Sequence, residues 1–324
     1  MTLHLLEGER AWLDAVVDDL PNDAPRLAYA EWLESRAPAR ARFLRAFVRA
    51  SASMEPDGFP RADGMSEEWL ELIGFRLLEK LANSNVPDLK ESVLRLARPA
   101  LRIKTADPVR GLTATESGGH AAPGAPGVFN RLLRLLRPAP ENVETNRGGP
   151  PEIPAGASRL GGLPELPPNY AWPRGEDCTG MSPEDTAGYR SPAGFLAQVN
   201  LAEIAYTQAA RDLPSAGMLS FFAFQDDGEN NPGTVGARVF YFPDASALVP
   251  TEPPEGLSGS NGLIPPRRVT FEETLDLPEY QSGPWSGEIT PHPDVRYHAL
   301  EHFSQLNFNN LLGYGRATSG YDPT

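Results

Sequence analysis

Ser158-Arg-Leu-Gly-Gly-Leu-Pro-Glu-Leu-Pro-Pro-Asn-Tyr-Ala-Trp-Pro173 and, after a polar spacer, Phe195-Leu-Ala-Gln-Val-Asn-Leu201 decide how the rest of the chain is read. Pro164, Pro167, Pro168 and Pro173 fix φ, remove backbone donors and push each preceding residue toward an extended conformation, so the first part is no helix. Gly161 and Gly162 permit backbone angles and close approaches that a side chain forbids. Leu160, Leu163, Leu166, Tyr170 and Trp172 supply apolar anchors. The pattern is an extended strap pinned across a core, with Trp172 largely buried. The second part alternates. Phe195, Ala197 and Val199 fall on one face and Leu196, Gln198 and Asn200 on the other, as in a strand.

The pair of stretches resembles the signature of the YwqG-like family, a glycine-glycine-proline strap ending in Trp-Pro and then a Phe-Leu-Ala-Gln-Val-Asn-Leu strand. Further matching segments are Arg98-Pro-Ala-Leu-Arg-Ile103, Leu213-Pro-Ser-Ala-Gly-Met-Leu-Ser-Phe-Phe222 and a strand around 268–275, in the family's order. The resemblance covers 99–104 and 157–315. It implies an antiparallel β-rich domain and brings no settled biochemical activity. Its relatives occur near toxin systems, which implies an immunity or antitoxin-like role. The chain departs from the family at Asn309-Asn-Leu-Leu-Gly-Tyr-Gly315, where the family usually has an initial His and a final Pro. Two strands that typically follow are not matched before Thr324, so either the sequence is shortened or the domain lacks the family's C-terminal half.

Upstream of this domain the period changes to that of helices. Trp12, Leu13, Val16, Val17 and Leu20 form one apolar stripe, Leu27, Ala28, Ala30, Trp32 and Leu33 a second, and Phe43, Leu44, Phe47 and Val48 a third. Asp23 with Pro25 marks a helix start. Residues 17–45 resemble a short bacterial module, the repeat-companion domain, with Glu31 where that pattern has Asp; this module has no assigned chemistry. A longer helix is predicted from Ser66, with Leu70, Ile73, Leu77, Leu78 and Leu81 as its stripe, and another over 88–97. Pro99–Thr105 then alternates as a first strand. The expected fold is α+β: a helical domain over 1–98 and a β-rich domain over 99–324, interrupted by an insertion at 106–157. Most of that insertion is rich in Gly, Pro, Ala, Thr and Glu and is expected to be mobile. Within it, 128–137 reads as a basic amphipathic helix. Phe129, Leu132, Leu133 and Leu136 share one face, with Arg131, Arg134 and Arg137 around it. It either docks on a partner or membrane surface or packs back on its own acidic domain.

Gly217–Phe224 and Ala237–Pro243 read as two aromatic strands joined by a turn-rich loop, an antiparallel hairpin. The 324 residues contain 34 Pro and 30 Gly, concentrated in 107–173 and 243–293, which are therefore loops and straps. The lone cysteine, Cys178, rules out an intrachain disulfide. It sits beside Glu176 and Asp177, which disfavour a thiolate. The N-terminus turns acidic too soon for a signal peptide, and no run approaches the length of a membrane span, so a cytoplasmic location is expected.

Charge is unevenly placed. Of the net −14, residues 158–324 carry 9 Arg, no Lys and 21 acids, a net of −12. Such a domain repels phosphate backbones and anionic lipid, so no nucleic-acid partner is expected; a basic protein is the electrostatically favoured partner. Asp226, Asp227 and Glu229, in the hairpin connection, are the candidate contact residues. The spacing of these acids does not fit an EF-hand loop. His298-Ala-Leu-Glu-His302 has the inverted zinc-protease spacing, with His298 and His302 one helical turn apart and Glu301 as base. That reading lacks a downstream third ligand other than Asp322. No phosphate-cradling glycine motif is met, and no cofactor is expected. The leading expectation is a non-enzymatic protein-binding module; the alternative is a metal-assisted hydrolase using His298, Glu301 and His302.

Overall fold

The computed structural model describes residues 4–84, 86–105, 153–178, 190–226, 233–255, 257, 264–278 and 310–314. Helices in the N-terminal region are followed by antiparallel strands, an α+β fold as expected. Compactness divides the chain into two units: Met1–Ile103 with Thr207–Ala209 and Phe271–Thr324, and Lys104–Tyr206 with Ala210–Thr270.

The first unit holds α1 (Arg10–Asp18), α2 (Asp23–Leu33), α3 (Pro38–Ser53), α4 (Glu67–Leu72), α5 (Phe75–Ala82) and α6 (Lys90–Leu96). The cap of α2 is Asn22 rather than Asp23: its side chain accepts from the Ala24 N–H at 2.9 Å. Asp23 is the first helical residue, where a carboxylate meets the positive end of the helix. The single helix expected from Ser66 is two helices, α4 and α5, broken at Gly74 with φ 80°. Arg26, fully buried yet charged, lies against the break. Its Nε donates to the Ile73 carbonyl at 2.9 Å and its Nη1 to the Leu20 carbonyl at 2.8 Å. A Cβ at position 74 would lie 3.1 Å from Arg26 Nη2, so the break and the arginine fit each other. Burial pushes the Arg26 guanidinium pKa below its ordinary value, opposed by Asp23. Trp69, Tyr29, Phe47 and Phe75 are the largest apolar side chains of this core, with Phe43 and Phe47 rings 5.0 and 5.3 Å from Phe75.

One polar knot runs through the same core. Tyr29 donates its hydroxyl to the fully buried Glu9 carboxylate and accepts from Trp69 Nε1 at 3.0 Å and Arg40 Nη2 at 2.8 Å. Arg40 also pairs with Glu9 and lies over the Trp69 ring at 4.7 Å. Each buried polar atom of this knot thereby has a partner, the condition for tolerating it in a core. Strand β1 (Arg98–Thr105) pairs antiparallel with β9 (Asn310–Leu311). Residues 207–209 belong to this unit through Glu273, which accepts from Arg10 and from the Gln208 N–H, the latter at 2.7 Å.

The second unit contains β2 (Arg159–Leu160), β3 (Glu165–Leu166), β4 (Gly194–Asn200), β5 (Met218–Asp226), β6 (Gly233–Phe242), β7 (Val249–Pro250) and the first part of β8 (Arg267–Asp276). A single turn, α7 (Gly175–Cys178), lies between β3 and β4. The order is β6-β5-β4-β2-β8, with β3 and β7 forming a separate two-stranded pair. The predicted hairpin of β5 and β6 is present. The expected alternation along β4 is not kept. The ladder passes from Phe195↔Phe222 to Ala197↔Phe221, leaving Leu196 as an extra residue. A bulge shifts the side-chain parity by one. Gln198 and Asn200 therefore join Phe195 on one face, opposite Ser220 and Met218, while Ala197 and Val199 occupy the other. On the Phe195 face, Phe222, Phe224, Met218, Phe242 and Leu166 close a core.

Candidate functional site

The family-like stretch 158–200 builds one connected assembly in the second unit. Gly161 and Gly162 have φ 62° and 75°, and a Cβ on Gly161 would sit 2.4 Å from the Ile264 carbonyl oxygen. Their N–H groups donate to Leu196 O and Ile264 O, both at 2.7 Å. The double glycine is thus where the strap turns between two neighbouring backbones, a close approach no side chain allows. The strap itself is less irregular than expected. Its ends enter ladders, Arg159 and Leu160 opposite Gln198 and Ala197, and Glu165 and Leu166 opposite Pro250 and Val249.

On either side of the turn, Arg159 and Glu165 form a buried ion pair, Nη1 to Oε1 at 2.9 Å, with 7% and 3% of each residue exposed. Arg159 Nη2 donates to the Leu163 carbonyl, and Glu165 Oε2 accepts from the Gly156 N–H at 2.9 Å. Gln198 bridges the next layer: its Oε1 accepts from the Glu165 N–H at 3.2 Å and its Nε2 donates to Ala157 O at 3.0 Å. Asn200 donates from Nδ2 to Gly156 O at 2.7 Å and, through its own N–H, to Ser158 Oγ at 2.9 Å. Taken together, the polar side chains of the signature bind the strap's own backbone. They form a clasp that holds the double-glycine turn against β4; Asn200 Oδ1 alone turns outward, accepting from the Ala202 N–H at 3.0 Å.

Above the clasp lies an aromatic ledge. Trp172 is partly buried, packed against the core around Phe195 and Phe222. Its Nε1 donates to Ala193 O at 2.9 Å, and its ring meets Phe222 edge-on at 5.7 Å. Tyr170, 37% exposed, stands perpendicular to Phe242 at 5.2 Å. Partial burial, then the Asp177 carboxylate, raises the Tyr170 hydroxyl pKa.

A family model for a domain of unknown function, DUF1963, matches residues 158–323. The chain belongs to the DUF1963 family. No curated protein and no solved structure matches it. The family match begins at the clasp, so in this DUF1963 chain the residues carrying the signature are accounted for by folding.

Of the residues singled out by sequence, Asp226 ends β5, opposite Gly233. Asp227, Glu229, His298, Glu301 and His302 lie outside the described residues, as do 106–152 with the basic segment 128–137. Among the described residues no three or more His, Cys, Asp or Glu side chains converge as metal ligands, and no helix is long and apolar enough to cross a membrane. Sequence reasoning missed the Arg159–Glu165 pair and the roles of Gln198 and Asn200. The available signal was opposite charges flanking a Gly-Gly-x-Pro turn.

Proposed function

We propose that this DUF1963 chain is a non-enzymatic binding module for a basic protein, with an immunity or antitoxin-like role as its specific form. The observation that carries this reading is charge distribution: 21 acids, 9 Arg and no Lys over 158–324. Large exposed aromatics in the same unit, Tyr206 at 60% and Tyr170 at 37%, offer the amphipathic contacts that protein interfaces favour. The inward-facing signature fits a scaffold better than a reaction centre. Within DUF1963 we place the chain among YwqG-like proteins, on the strap and the Phe-Leu-Ala-Gln-Val-Asn-Leu strand. We assign 17–45 to a repeat-companion-like module, in which Arg26 serves to lock the helix break at Gly74.

The test is capture of partners from the native lysate on the immobilised full chain, followed by association kinetics at rising salt. A steered basic partner associates more slowly as the Debye length falls to about 8 Å at physiological ionic strength. Reversing Asp226, Asp227 and Glu229 to Lys then lowers the on-rate more than it raises the off-rate. A physiological partner whose binding ignores salt overturns the electrostatic reading. Stoichiometric zinc lost on His298→Ala overturns the non-enzymatic one.

A further inference from the structure

Among the described residues, β6 is the last strand of the order in the second unit and pairs on one side only, and its composition is unusual. Residues 233–242 read Gly-Thr-Val-Gly-Ala-Arg-Val-Phe-Tyr-Phe, with no acid, no Lys and no Pro, in a chain of net charge −14. One side of β6 pairs with β5. Among the described residues, no backbone hydrogen bond outside the strand ladders uses any residue of 233–242. Ala237, Arg238, Val239 and Tyr241 are exposed, Val239 at 49% and Tyr241 at 44%. Apart from the single charge of Arg238, this edge has none of the acids, lysines or prolines that blunt sheet edges, and such an edge is a template for another strand.

The geometry of the edge selects the occupant. At one end the ladder passes from Phe224↔Gly236 to Gln225↔Thr234, so Val235 is a bulged extra residue that ends regular pairing. At the other end Phe242 is followed by Pro243, which has no N–H to offer a ladder. The regular edge is therefore 236–242, and its central residue is Val239. Paired antiparallel with an identical strand about a two-fold axis through Val239, this stretch uses its whole length. Val239 then meets Val239 of the other copy, the small Ala237 meets the large Tyr241, and Arg238 meets the Phe240 ring rather than a second arginine. Shifting the axis to Arg238 would oppose two like charges; shifting it to Phe240 would shorten the ladder. For a strongly acidic chain, an acid-free strand is also where two copies approach with least repulsion.

We propose that β6 is a homotypic docking edge through which two copies of this chain join their sheets, independently of any basic partner. Cross-linking tests this directly. On a Cys178→Ser background, Val239→Cys places two thiols across the axis. Facing Cα atoms of an antiparallel pair lie about 4.5–5.5 Å apart, within disulfide range in either type of pair. Mild oxidation of the full chain should give Val239→Cys dimers at least about tenfold faster than Leu27→Cys, a control of similar exposure, 45%, on α2. Sedimentation should show wild-type dimer forming in the range of about 1–100 µM, as for a small interface, and Val239→Lys should shift that range upward at least tenfold. An unchanged circular dichroism spectrum and melting temperature for Val239→Lys would exclude misfolding as the cause. A wild-type chain still monomeric at about 100 µM, a dimer indifferent to Val239→Lys, or equal oxidation of Val239→Cys and Leu27→Cys each overturns the proposal. The first of those results would leave the edge to a strand from a different protein.

Discussion

Arg159→Met tests whether the clasp is what holds the strap. Methionine keeps the length and apolar stem of the side chain but removes both donors. Glu165 would be left 3% exposed with only the Gly156 N–H, and the Leu163 carbonyl would lose its arginine partner. Removing one member of a buried ion pair costs about 3–5 kcal/mol, because the surviving charge stays desolvated without compensation. Glu165→Gln alone should cost less, about 2 kcal/mol, since the amide oxygen still accepts while charge assistance is lost. In the double variant no ionised group remains buried. Its loss should fall short of the sum of the single losses by at least about 1.5 kcal/mol, a coupling expected only of groups in contact. The assay is urea unfolding followed by far-ultraviolet circular dichroism and by tryptophan fluorescence. Each transition is fitted separately because two units need not melt together. The m-value of the affected transition should stay constant. A loss below about 1 kcal/mol for Arg159→Met, or strict additivity in the double variant, would refute the claim that the pair anchors the turn.

Two other predictions follow from backbone angle and from burial. Gly161→Ala combines φ 62° with a Cβ 2.4 Å from the Ile264 oxygen, whereas Gly64→Ala, at φ 77°, meets nothing within 4 Å. Calorimetry should therefore show a loss of about 1 kcal/mol for Gly64→Ala and about 3 kcal/mol or more for Gly161→Ala, and equal losses would remove the close-approach argument. Burial, opposed by Arg40 and reinforced by Glu9, raises the Tyr29 hydroxyl pKa above its ordinary 10.0. The stability this group contributes is complete below pH 10.0 and is lost as pH rises toward the higher folded value, since the unfolded chain releases the proton first. The wild type should lose about 1.4 kcal/mol per pH unit above that point relative to Tyr29→Phe. Parallel curves for the two proteins between pH 9 and 11, within the error of the ~1.4 kcal/mol slope, would show that Tyr29 ionises freely.

By itself the sequence determined the order of elements, because that order rests on local chemistry. The three helical stripes of 10–53, the prolines of the strap, the alternation of β1 and the aromatic runs of β5 and β6 around a turn-rich loop each act over a few residues. The glycine pair was legible for the same reason: a Gly-Gly before Leu-Pro announces a turn with unusual angles, and both residues have positive φ. What the sequence could not decide was anything set by a distant partner. The partner that packs against the break at Gly74 is Arg26, which reaches it from another helix; the apolar stripe of Leu70, Ile73, Leu77 and Leu81 reads continuously through it. The parity of β4 depends on a bulge at Leu196, visible only as a register against β5. Trp172 looked like a core residue because it is large and apolar, yet its ring lies at the core's margin, with the indole N–H on a backbone carbonyl. Most of all, the clasp was hidden because ion pairing is indifferent to local pattern. Arg159, Glu165, Gln198 and Asn200 become one assembly only when a sheet brings 156–165 beside 198–200. Tertiary contact alone converts four ordinary polar residues into the buried, mutually satisfied group that holds the strap.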